Sequence, residues 1–102
     1  MFSWFKQFKY KRIEYADLEQ YFAQKENKTF IDIRSKHTFK QERLKGFKSI
    51  PLDKLSKRLQ ELSKDHVILV LGDNQNPGEV ACRLLKRKGY PHVINVLHKE
   101  KE

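Results

Sequence analysis

Cysteine is almost missing from this chain: Cys82 is the only one in 102 residues. No internal disulfide can form, so stability must come from a packed core, and a reducing compartment suits such a chain. Four glycines and three prolines are too few for a flexible linker or a low-complexity block. No apolar run approaches the ~20 residues that cross a bilayer. No apolar stretch of the secretory kind follows the first basic residues, so a cytoplasmic protein is the default expectation. Acidic residues are also scarce, 13 against 22 Lys and Arg, for a net charge of +9. That excess favours anionic partners as a class without naming one, and a lysine-rich solvated surface accounts for most of it. His37, His66, His92, His98 and Cys82 lie scattered, without metal-ligand spacing. Neither a phosphate-binding glycine loop nor a serine nucleophile elbow is present. No metal and no cofactor are therefore expected.

What remains is ordinary globular material, 38% hydrophobic and 34% charged, enough for one domain with a modest core. Its centre is Val67 to Leu85. Val67-Ile68-Leu69-Val70-Leu71 is an unbroken apolar run rich in β-branched residues, which reads as a strand buried on both faces. Gly72-Asp73-Asn74-Gln75 stops it with turn-forming residues. A helix follows, with Asn76 as the expected N-cap, Pro77 at its first position and Glu79 as a capping-box acid. Ala81, Leu84 and Leu85 give it an apolar face, and Gly89 ends it. Val93-Ile94-Asn95-Val96 is a further strand. Strand, helix, strand implies parallel pairing with a right-handed crossover, and ligands of such sheets bind at the carboxyl ends of the strands. The loop from Gly72 to Asn76 is therefore the first place to look for chemistry.

The other elements follow from local pattern. Residues 1–12, MFSWFKQFKYKR, form a basic aromatic arm distinct in composition from the remainder. Aromatics mixed with lysines suit a membrane interface or a stacking surface, although packing of the aromatics on the domain is the favoured reading. A short extended piece lies near Ile13, and Leu18, Tyr21 and Phe22 mark a helix with one apolar face. Thr29 to Ile33 is a second buried strand, ending in Asp32 and Arg34. Such a pair could bind ligand, but more often it caps neighbouring backbone. Ser35 caps a short helix with Phe39 turned inward. Phe47 to Leu52 is a short strand ended by Pro51. Leu52, Leu55, Leu59 and Leu62 recur at helical spacing as a core-facing stripe, with Asp53, Lys54, Lys57 and Arg58 as surface charges. Residues 98–102 are a polar tail.

Four segments together resemble the rhodanese-like sulfurtransferase domains. They are Thr29-Phe30-Ile31-Asp32-Ile33-Arg34, Gly46-Phe47-Lys48-Ser49-Ile50-Pro51-Leu52, Ala81-Cys82-Arg83-Leu84-Leu85, and Gly89-Tyr90 with Val93 to Val96. The resemblance runs from about Ile13 to Leu97 and implies a three-layer α/β/α domain over 13–97 with a central, mostly parallel sheet. It also implies that Asp32 and Arg34 are largely structural. Counting back from Ala81-Cys82-Arg83, the family's nucleophilic cysteine falls on Gly72. The loop Gly72-Asp73-Asn74-Gln75-Asn76-Pro77 offers no thiol.

Three functions follow as expectations. The favoured one is a non-catalytic binding or regulatory module whose partner is a protein or a small anion. Its binding candidates are Asp32, Arg34, Gly72, Asn74 and Asn76, with no catalytic residue. The alternative is a divergent sulfurtransferase using Cys82 or a partner's thiol. The third is a peripheral binder of an anionic membrane through residues 1–12, with nucleic acid less favoured.

Overall fold

A computed structural model describes residues 9–24 and 26–97. Most of the basic arm and the 98–102 tail lie outside them. Five strands, β1 (Lys11–Glu14), β2 (Lys28–Asp32), β3 (Lys48–Ser49), β4 (Val67–Leu71) and β5 (Val93–Leu97), form one sheet in the order β1-β5-β4-β2-β3. Every pairing is parallel. The helices are α1 (Glu19–Ala23), α2 (Lys36–Gln41), α3 (Leu52–Leu55) and α4 (Gln75–Arg87), with 3-10 turns at Tyr15–Asp17 and Leu59–Glu61.

Strand β4 is central for the reason its sequence gives. Successive side chains point to opposite faces, and here both faces are covered. Ile68 and Val70 join Ile31, Ile33, Leu55, Ala81, Cys82 and Leu85 on the α3–α4 side. Leu69 and Leu71 join Ile13, Leu18, Phe30, Phe39 and Val96 on the α1–α2 side. Ile68 to Leu71 are 0% exposed. At roughly 1.5–3 kcal/mol per buried aliphatic side chain, these four supply on the order of 6–12 kcal/mol of gross transfer energy. A charge placed anywhere in this strand would forfeit that.

The three-layer fold and its parallel sheet agree with the reading of the sequence, while several details differ. The Leu52–Leu62 stripe is core-facing, but α3 stops at Leu55 and a separate 3-10 turn carries Leu59. The arm's last residues belong to the domain: β1 starts at Lys11, paired with Ile94, and Tyr10 packs against the α3–α4 core. Arg12 reaches across to Glu79 of α4 at 3.0 Å.

Candidate functional site

At the carboxyl edge the chain leaves β4 through Gly72, which is buried, and passes Asp73, which is exposed, into α4. The helix begins earlier than its punctuation suggested. Its N-cap is Asn74, in an extended conformation (φ −154°, ψ −176°), and the Asn74 side-chain oxygen accepts the Asn76 N–H at 2.9 Å. Asn76 is therefore the second helical residue and Pro77 the third. The first four helical N–H groups lack intrahelical partners, so proline costs little anywhere among them, and its presence does not mark the first position. Glu79 lies beyond capping-box reach. It pairs instead with Arg12 and, at 3.3 Å, with Arg83. The Arg12 hydrogen bond is the main reason its carboxyl titrates below the usual range.

With Asn76 spent on its cap and Pro77 lacking a donor, the N–H groups of Asp73, Asn74 and Gln75 are left without an acceptor among the described residues. A thirteen-residue helix adds partial positive charge at this end. The exposed Asp73 carboxylate opposes an anionic guest. Gly72, Asn74 and Asn76, three of the binding candidates, thus lie together at the β4–α4 junction, with Asn76 already in the first helical turn.

Beneath it lies a residue that the sequence reading did not single out. Asn95 of β5 is 0% exposed, and its amide donates to the Gln75 carbonyl at 3.2 Å. Its Oδ1 has no partner among the described residues. Gly78 makes this approach practicable, because a Cβ there would sit 2.1 Å from Asn95 Oδ1. The available signal was an asparagine inside an apolar run, on the same strand face as Val93.

Asp32 and Arg34, the other two candidates, are occupied with each other. Both are buried, and the Arg34 guanidinium binds the Asp32 carboxylate through Nε at 3.0 Å and Nη2 at 2.8 Å. Its remaining donors meet the Glu42 carboxylate at 3.1 Å and the Glu42 carbonyl at 2.8 Å. The Arg34 backbone N–H also bonds Asp32 Oδ1. This pair fastens the β2–α2 turn, and four of the five guanidinium N–H donors are already engaged within it.

Cys82 sits 0% exposed on the core face of α4. Burial pushes its thiol up to about 12. His37 is exposed on α2. Among the described residues, no three His, Cys, Asp or Glu side chains are placed to hold a metal, and no helix is long and apolar enough to cross a membrane.

Residues 14–98 match the rhodanese-like domain family. YrkF of Bacillus subtilis, whose name makes it a candidate sulfur carrier protein, is 29% identical over 72 residues, which cover 71% of this chain and 39% of that protein. The reduced CoADR-RHD protein of Bacillus anthracis superposes with a TM-score of 0.75 at 32% identity, over 85% of this chain and 15% of that one. A rhodanese-related protein of Thermoplasma volcanium shares the fold with a TM-score of 0.74 at 22% identity, over 86% of this chain and 84% of its own. The chain thus spans well under half the length of the first two.

Proposed function

Because the chain belongs to the rhodanese-like domain family, we propose that it is a binding or regulatory module that carries no sulfur itself, with Gly72 where the family's nucleophilic cysteine stands. One observation carries this reading. The only thiol, Cys82, lies in the core with its ionisation pushed to about 12, and the carboxyl-edge loop offers none. Sulfur transfer requires an accessible thiolate of low pKa. At neutral pH a thiol of pKa about 12 is ionised to roughly one part in 10⁵, and here core packing also shields it.

The size relations fit a module. YrkF and CoADR-RHD are longer proteins of which this chain matches only a part. The name of YrkF favours a second reading, in which a partner's thiol carries the sulfur and this domain supplies the docking surface. A protein partner or a small anion, acting in the cytoplasm, is the corresponding proposal for what it binds.

The test is sulfur transfer from thiosulfate to cyanide by the purified chain. No turnover is expected. Turnover that vanishes in Cys82→Ser would make Cys82 a nucleophile and overturn the reading. Turnover that appears only when a thiol protein is added supports the partner-thiol form.

A further inference from the structure

We propose that a cavity on the carboxyl edge, at the ends of β2 and β3, binds a small phosphomonoester. The cavity has a volume of about 510 Å³ and opens over the ends of β2 and β3, with Ser35, Lys36, Ser49, Asp53, Lys54 and Arg58 among its lining residues. The strand ends here are tied together: Ile33 N–H bonds the Leu71 carbonyl, and Leu52 N–H bonds the Ile33 carbonyl. Ligands of parallel α/β sheets gather on this edge, and the volume falls in the range of small-molecule sites.

The charges are arranged for an anion. Lys36 and Lys54 come from different elements, at the start of α2 and within α3. Neither forms an ion pair among the described residues. Arg58 is fixed in place. Its Nε and Nη2 clasp the Glu61 carboxylate at 2.6 and 2.9 Å, and its Nη1 donates to the Ser49 carbonyl at 3.3 Å. Lys48 lies 2.7 Å from the same Glu61. Glu61 is thus shared between Arg58 and Lys48, while Lys36 and Lys54 line the cavity without a carboxylate partner among the described residues. Two unpaired ammonium groups match a dianionic phosphate, which lysine binds as a point charge. Ser49 brings a hydroxyl. At ~30 Å³ per water the cavity holds more than ten waters, so a phosphate would fill only part of it. Asp53 offers an acceptor for a hydroxyl on the ligand's organic body.

This site is independent of any sulfur chemistry at Gly72, so its failure would not touch the proposed function. The experiment is a titration of the isotope-labelled full chain, followed by amide chemical shifts, with glycerol 3-phosphate and with inorganic phosphate at ionic strength matched by sodium chloride. Saturable shifts are expected around Ser35, Lys36, Ser49 and Lys54, with the ester binding more tightly than the free ion. The double variant Lys36→Gln, Lys54→Gln should weaken binding at least tenfold while leaving the remaining spectrum in place. Shifts spread evenly over the surface lysines, or affinity unchanged in the double variant, would overturn the site. Equal affinity for ester and free phosphate would overturn the assignment to an organic ester.

Discussion

Installing the missing thiol, Gly72→Cys, asks whether the β4–α4 loop still has the shape of an anion cradle. The backbone permits it, since Gly72 is not among the residues at positive φ. A Cβ there would meet Gly78 N at 3.2 Å and both Asn74 O and Pro77 Cγ at 3.3 Å, so its neighbours must give by a few tenths of an ångström. A thiolate would then form at the amino end of α4. A charge near a helix N-terminus gains about 0.3–1 kcal/mol when exposed and up to ~2 kcal/mol when partly buried. At ~1.36 kcal/mol per pKa unit this lowers an unperturbed thiol of ~8.5 by up to about 1.5 units. Asp73 and the burial of this position oppose the shift, so a value between about 7 and 8 is expected. The assay is the pH dependence of iodoacetamide alkylation in a Cys82→Ala background. Near neutral pH the new thiol should be ionised at least ~10³ times more than Cys82, whose thiol is pushed to about 12. With thiosulfate, attack of the thiolate on the outer sulfur would release sulfite and leave a persulfide, seen by mass as the gain of one sulfur atom. An alkylation midpoint at or above ~8.5 would refute the reasoning, because the loop would then hold no stabilising N–H groups.

Native Cys82 itself should resist alkylation near neutral pH and react only on unfolding, which thiol titration with and without denaturant measures. Arg34→Met should destabilise the domain by about 3–5 kcal/mol, because it strands the Asp32 carboxylate in the core; urea unfolding reads the loss. Gly78→Ala should cost about 1–3 kcal/mol although alanine is the better helix former, since its Cβ would lie 2.1 Å from Asn95 Oδ1. Adding Asn95→Ala should then cost less than the sum of the two single changes, a coupling read from a double-mutant cycle. Glu61 is held at about 2 against a usual 4.5, chiefly by its hydrogen bonds to Arg58 and Lys48. A depressed carboxyl contributes stability that is complete above ~4.5 and lost as pH falls toward 2, so Glu61→Gln should flatten the acid limb of the stability profile in that window.

The buried strand was legible because β4 is a continuous apolar run, and only a strand covered on both faces needs one. The parallel order followed from strand, helix and strand in succession. Element ends were less legible. Pro77 is tolerated throughout the first helical turn, so it could not distinguish Asn74 from Asn76 as the cap. The leucine stripe from Leu52 to Leu62 reported correctly which side chains face the core, but periodicity is blind to a break between Leu55 and Leu59. The extended piece near Ile13 was legible, but not its start at Lys11: its partner β5 lies at the far end of the sequence, so Lys11 and Arg12 looked like arm. Asp32 and Arg34 could equally have been ligand groups on sequence grounds; only the placement of Glu42 beside them shows how fully the guanidinium is engaged within the fold. The cations around the carboxyl-edge cavity were invisible as a group, since Lys36 and Lys54 meet only after β2 and β3 are paired.

The sheet order also sets a timetable for how the domain comes into being. Strand β1 is synthesised before the other four, yet its strand neighbour among the described residues is β5, with Lys11 opposite Ile94. At ~5–20 residues per second, the ribosome makes that neighbour on the order of ten seconds later. Throughout that interval β1 has nothing to pair with, while β2 can already seek β4 once residues 67–71 have emerged. The nascent chain should therefore assemble from its middle outward and close its first strand last, a slow non-local step in which the apolar face of Ile13 stays open to whatever chaperone reaches it.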